Sequence, residues 1–215
     1  MVLGDIPQVV DIERESFQFT WPQTTYKREL QNHLARYLVL VQQPPEQTTA
    51  RPPATQRRPR VWQDTLRRWL NLQAPPEPTL ELILGFMGLW LLVEEAHIVT
   101  LAVREGQRRR GLGELLLIAA IEMALAQELE RMTLEVRRSN EAAVALYYKY
   151  GFTRVGVRSR YYENREDALI MTTPHLSSEA FREHYQSLKE AHQGRWGDHR
   201  LPDGLWAKGA PWPPA

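Results

Sequence analysis

The sequence predicts an α/β protein built on a mixed β-sheet with helices on both faces. Short strand-like apolar runs recur at Tyr37 to Val41, Leu80 to Leu92, His97 to Val103, Met132 to Val136, Phe152 to Arg160 and Ala168 to Thr173. Stretches of helical period separate only some of them. The resulting order is α, α, β, insertion, β, β, α, β, α, β, β. Strands outnumber crossovers, so the sheet is mixed rather than doubly wound.

Each element has a local cause. Asp5 with Gln8 three residues on reads as a capping box, and Pro7 suits a first helical turn. The spacing predicts a helix to about Ser16. Trp21-Pro22 breaks the chain, and a second helix is expected from about Thr24 to Leu34. Gln42 to Thr79 holds eight of the fifteen prolines. It reads as a Pro-rich insertion carrying one short basic amphipathic helix around Trp62, Leu66, Trp69 and Leu70. Such a helix packs on the domain or docks to RNA, a ribosome or an acidic surface. Glu94-Glu95 splits the next two runs into a hairpin. An apolar helix follows from Leu115 to Leu129, then the strand at Met132. Ser139 and Asn140 cap another helix, which Gly151 ends. The domain is expected to span residues 1–173, with the insertion at 42–79. Residues 174–215 form a C-terminal extension with one helix, about Ser178 to His192.

Bulk composition excludes several classes. The 215 residues carry 27 basic and 26 acidic side chains, so no global charge draws the chain to DNA or a membrane. There is no cysteine, which excludes disulfides and thiolate nucleophiles. No signal-peptide pattern opens the chain, and Leu80 to Val93 is too short to span a bilayer. A soluble, cytoplasmic, monomeric protein without a metal is expected.

The chemistry concentrates in one turn. Arg108, Arg109, Arg110, Gly111, Leu112, Gly113 and Glu114 lie between a strand and a helix. Free N–H groups at a helix start and the helix dipole favour an anion there. Arginines add forked bonds to phosphate, and glycines admit close approach. Leu116 stands where a Rossmann turn needs its third glycine, and Gly-Lys-Ser/Thr of a P-loop is absent. The cradle suits a pyrophosphate that is not hydrolysed.

Downstream lie Leu134-Glu135-Val136-Arg137-Arg138-Ser139-Asn140, Ala145-Leu146-Tyr147-Tyr148, Tyr161-Tyr162 and Arg165-Glu166-Asp167-Ala168. With the cradle, these motifs make the chain resemble the GCN5-related N-acetyltransferase (GNAT) superfamily. More narrowly it resembles the RimI branch, which acetylates the N-terminal alanine of ribosomal protein S18. The resemblance covers about residues 5–41 and 80–173.

It implies acetyl-CoA as co-substrate and a sheet whose strands splay around the cradle helix. The pantetheine arm would pair with the backbone of Leu101, Ala102 and Val103. The pyrophosphate would sit on Arg108 to Glu114, with Asn140 contacting the cofactor. Glu135 would be the general base and Tyr147 the general acid. Phe17, Phe19 and Trp21 would form one wall of a peptide channel, Tyr161 and Tyr162 the other. His97 reads as a structural histidine beside the site. The partner implied is a protein N-terminus, that of S18 in the RimI branch, with the insertion available for ribosome contact.

The chemistry fits an α-amine. Deprotonating one at pH 7 costs about 1 kcal/mol, against roughly 4–5 kcal/mol for lysine. Two alternatives share these motifs: acetylation of lysine side chains or small amines, and a non-catalytic acetyl-CoA-binding or ribosome-docking module.

Overall fold

The computed structural model describes residues 1–18, 22–42 and 81–196. The helices are α1 (Ile6–Ser16), α2 (Gln23–Glu29), α3 (Leu112–Ala126), α4 (Glu141–Lys149) and α5 (Glu179–Trp196). The strands are β1 (Ala35–Val41), β2 (Ile83–Leu91), β3 (Glu95–Val103), β4 (Arg131–Arg137), β5 (Thr153–Arg158) and β6 (Ala168–Thr172). They form one six-stranded sheet in the order β1-β2-β3-β4-β6-β5. β3 and β4 run parallel and the other neighbours antiparallel. The mixed sheet and the element order agree with expectation.

Helices cover both faces. One core places Ile6, Val9, Ile12 and Tyr26 of α1 and α2 against Tyr37, Ile83 and Phe86. The other places α3 against Met87, Ile98, Leu134 and Met171, with Phe181 and Tyr185 of α5 behind it. α3 is apolar nearly all round because the sheet lies on one side and α5 on the other. Its Glu122 accepts from the Tyr185 hydroxyl and the Lys189 ammonium, both at 2.6 Å.

Two local expectations are corrected. Gln8 does not close a capping box. Its amide nitrogen donates to the Glu81 carbonyl at 2.9 Å, and its oxygen accepts from the Ile83 N–H at 3.0 Å. It therefore docks α1 to the start of β2. α2 ends at Glu29 instead of reaching Leu34. Asn32 stops it: its side-chain oxygen accepts from the Leu34 N–H at 3.1 Å, and its carbonyl from the Ala35 N–H at 3.0 Å. That Asx-type turn competes with helix and starts β1.

The expected insertion lies outside the described residues except for Gln42. Its neck is visible: the Gln42 N–H donates to the Leu82 carbonyl at 2.8 Å, one step beyond the Val41↔Ile83 rung. Among the described residues no helix is long and apolar enough to cross a membrane.

The seam between β3 and β4 positions the site. It is zipped from Glu95↔Arg131 to Ile98↔Leu134 and then stops. A register shift against β2 falls at the same place, between the Gly88↔Thr100 and Leu89↔Ile98 rungs, leaving Val99 as the extra residue. Such a bulge bends its strand and re-aims it. Beyond it, Leu101, Ala102 and Val103 still pair with Met87, Phe86 and Gly85 on one side. Their other edge has no strand partner among the described residues.

Candidate active site

At the mouth of the gap, β3 ends in Arg104 and a single turn over Glu105–Gln107. Arg109 and Gly111 both take left-handed conformations, at φ 64° and 74°. Gly111 is the N-cap of α3. The first helical bond runs from the Leu115 N–H to the Gly111 carbonyl at 2.9 Å. The N–H groups of Leu112, Gly113 and Glu114 precede it, as an anion site requires. A Cβ on Gly113 would meet nothing nearer than 3.8 Å, so that approach is open. The chain's own residues therefore fit a pyrophosphate.

The side chains of the turn are used differently from one another. Arg108 donates from Nε to the Val103 carbonyl and from its terminal nitrogen to the Glu15 carbonyl and the Ser16 hydroxyl, at 3.0–3.1 Å. It ties β3 to the end of α1. Glu15 reinforces the tie through Arg104 at 3.1 Å and the Glu105 N–H at 2.9 Å. Arg110 bonds the Gln107 side chain. Space beside Gly111 is filled from within: a Cβ there would lie 2.6 Å from Trp196 Nε1 of α5. His192, buried at 4 % exposure, bonds the Gly111 carbonyl at 3.1 Å. Glu114 reaches across to α4 and pairs with Lys149 and the Tyr150 hydroxyl. Burial works to raise its pKa, but those two hydrogen bonds outweigh it and hold the carboxyl below its usual range.

Glu135 lies one residue past the last β3–β4 rung. Its side chain is 11 % exposed and bound on both oxygens: Oε2 to His97 Nε2 and Oε1 to Arg158, each at 3.1 Å. His97 Nδ1 lies 2.9 Å from the Thr133 hydroxyl, and its ring centroid 6.0 Å from that of Trp90. Trp90 donates to Glu29 at 2.8 Å. The cluster occupies one face of the seam because alternate residues of a strand share a face. Ala96, Ile98, Met132, Leu134 and Val136 point the other way into the α3 core.

Tyr147 of α4 is buried, in ring contact with Phe152 at 5.5 Å. Burial pushes its phenol well above the ordinary range, with Tyr162 adding to the shift, so the hydroxyl keeps its proton. Tyr162 donates to the Glu135 carbonyl at 3.5 Å, and Arg137 stacks 3.8 Å from its ring centroid. Its pKa is pushed up to about 12, mainly by burial and partly offset by Arg137. Tyr161 meets Tyr162 edge-on at 5.1 Å and carries the Arg158 guanidinium 5.4 Å from its centroid. Asn140 caps α4, accepting from the Ala143 N–H at 3.2 Å. Glu166 accepts from the Ser139 N–H at 2.8 Å and from Arg137 at 3.3 Å.

The structure thus brings Glu135, Tyr161 and Tyr162 into one cluster, with Tyr147 beside it. It sets the turn at Arg108–Glu114 at the far end of the same gap. Phe17 packs against the α1–α2 core. Phe19 and Trp21, expected in the channel wall, lie outside the described residues. His97 and Arg158 are the site residues that sequence reasoning left out of the chemistry. The signal for His97 was its period-two spacing from Glu95, on the strand running parallel to Glu135. For Arg158 there was none.

Residues 42–152 match the Acetyltransferase (GNAT) family, a span that includes the cradle, Glu135 and Tyr147. A Bacillus subtilis protein with the provisional name ribosomal protein bS18 alanine N-acetyltransferase is 31 % identical over 173 residues, 80 % of this chain and 90 % of that one. The ribosomal protein bS18 alanine N-acetyltransferase of Salmonella typhimurium is 36 % identical over 110 residues, 50 % of this chain and 72 % of that one. The fold matches the crystal structure of the ribosomal-protein-S18-alanine N-acetyltransferase from Escherichia coli at TM-score 0.59 and 24 % identity, over 83 % of this chain and 94 % of that one. This chain belongs to the GNAT family and is an N-acetyltransferase.

Proposed function

We propose that this acetyltransferase moves the acetyl group of acetyl-CoA to the N-terminal α-amine of a protein, and that its substrate is the N-terminal alanine of ribosomal protein S18. The observation that carries the reading is the position of Glu135, a largely enclosed carboxylate where β3 and β4 part. The named Bacillus and Salmonella relatives support the choice of substrate.

Acetyl-CoA, when bound, supplies the activated thioester. The free edge of Leu101, Ala102 and Val103 offers its backbone to an amide-bearing arm. The N–H groups at Leu112, Gly113 and Glu114 hold the diphosphate, with Arg109 and Arg110 beside them and Asn140 across the gap. Glu135 takes the proton of the incoming α-ammonium, which needs only a modest base. His97 fixes that carboxylate from one side and Arg158 from the other. Tyr147 retains its proton and donates it to the departing thiolate. Tyr161 and Tyr162 line the approach of the peptide.

Initial rates on a peptide panel test the reading. Peptides differ in first residue, and free polyamine and an internal-lysine peptide serve as controls. Acetylation of the S18 N-terminal peptide far above both controls is expected. Equal rates on the lysine peptide or the polyamine would replace this reading with a broader amine acetyltransferase.

A further inference from the structure

We propose that Thr133 and Glu95 form an exit path for the proton that each turnover releases, entered through His97. The proposal rests on Glu135 acting as the base, and it assigns the route by which that base is reset.

The proton balance demands an exit. The amine arrives mostly as an ammonium at neutral pH. As the C–N bond forms and the C–S bond breaks, the nitrogen gives up two protons. One replaces the proton that Tyr147 gives to the thiolate sulfur. The other must reach water, or Glu135 stays protonated and cannot serve again. The Glu135 carboxylate is 11 % exposed, and its two oxygens face His97 and Arg158. A guanidinium has no acceptor and does not give up a proton, so Arg158 cannot carry one.

His97 can. From Glu135 the contacts run 3.1 Å to His97 Nε2, 2.9 Å from His97 Nδ1 to the Thr133 hydroxyl, and 3.3 Å from that hydroxyl to Glu95 Oε1. The path zigzags across two parallel strands because His97 is the register partner of Thr133 and alternate residues share a face. A hydroxyl has one proton and donates to one acceptor at a time. When His97 is neutral with its proton on Nδ1, that N–H donates to the Thr133 hydroxyl, the hydroxyl donates to Glu95, and the bare Nε2 faces Glu135. Nε2 accepts the proton that Glu135 has taken; the ring then passes its Nδ1 proton to the hydroxyl oxygen as the hydroxyl proton moves to Glu95. Glu95 releases its proton to water, and exchange of the Nε2 proton with solvent at the 21 % exposed ring restores the starting tautomer.

The charged groups around His97 come from each element packed on it. They are Glu135 on β4, Glu95 on its own strand, Arg158 on β5 across Glu135, and Glu29 of α2 behind Trp90. Arg131 is the register partner of Glu95 at the outer end.

Thr133→Val keeps the shape and removes the hydroxyl, and Thr133→Ser restores it. With S18 peptide and acetyl-CoA, Thr133→Val is expected to lose about tenfold in kcat at low buffer with both KM values held, less than loss of the acid or base itself would cost. Added imidazole should restore the rate, and Thr133→Ser should match the parent. Glu95→Gln should show the same buffer dependence and guards against a folding defect in Thr133→Val. Ring nitrogen NMR of the protein without substrates gives a readout apart from turnover: the His97 Nδ1 signal should lose its hydrogen-bond shift in Thr133→Val alone. Turnover of Thr133→Val independent of buffer, or an unchanged His97 signal, overturns the path. If Glu135→Gln stays fully active, the base assignment falls instead, whatever Thr133→Val does.

Discussion

The cradle turn and the Glu135 cluster sit at two ends of one gap and are built in opposite ways. The cradle is contiguous: Arg109 to Glu114 fold on themselves, with two left-handed residues and a helix start. The Glu135 cluster is assembled from β3, β4 and β5, whose members lie tens of residues apart. A contiguous site carries its geometry in local backbone preference. A cross-strand site inherits its geometry from register, so a one-residue slip would turn Glu135 to the other face. Substitutions should therefore separate the two, with the cluster governing kcat and the turn governing cofactor affinity.

The largest effect is expected from Glu135→Gln. It should lower kcat by about 10²–10³-fold, the range for loss of a positioned base, with little change in the dissociation constant of CoA. Steady-state rates and calorimetric CoA titration measure the two quantities. A weakened CoA affinity would break the separation. Tyr147→Phe should cost about 10–10²-fold in kcat, again without loss of CoA binding. An unchanged rate would remove the hydroxyl from the chemistry.

Gly111→Ala sharpens the opposite arm. A left-handed Ala costs about 1–2 kcal/mol, and its Cβ would meet Trp196 at 2.6 Å. Weaker CoA binding by about tenfold is expected, together with a Tm lower by roughly 2–8 °C in a chain of this size. If kcat at saturating acetyl-CoA falls further than binding does, the two ends of the gap are coupled.

Glu166 offers a smaller effect, read by pH. Its carboxyl is held down to about 2 by the bonds to Ser139, Asn164 and Arg137, with Ser139 the largest contributor. A lowered folded pKa stabilises above the ordinary carboxyl range, and the contribution is lost as pH falls toward about 2. Thermal melts should therefore show the parent above Glu166→Gln at pH 6 and the gap closing between about pH 4.5 and 2. The smallest effect belongs to the insertion: replacing residues 43–80 with a short turn should leave Tm within about 3 °C and kcat on free peptide unchanged, since closure entropy varies slowly with loop length.

The same contrast explains which features were legible in the sequence. The cradle, the hairpin at Glu94-Glu95 and the Asn140 cap could be read because each is a local pattern with a local cause. The ending of α2 was missed because Asn32 competes for backbone bonds that periodicity does not register. Gln8 stands at capping-box spacing, yet its partners Glu81 and Ile83 lie across the fold, at the approach to β2 and its first residue. His97 read as structural because nothing local announces that Thr133 and Glu135 flank it across a parallel seam. Arg108 looked like a phosphate ligand by position, yet its side chain spans to α1. The filling of the Gly111 notch by Trp196 joins residues 85 positions apart, beyond any spacing rule.

The neck at Gln42 and Leu82 has a consequence for engineering. Two chain ends held a single rung apart form a ready port: a reporter, an affinity handle or a second enzyme could be spliced there with both of its termini anchored side by side. The sheet would keep its register, and the guest would sit at the margin beside β1, three strands away from the strand that bears Glu135.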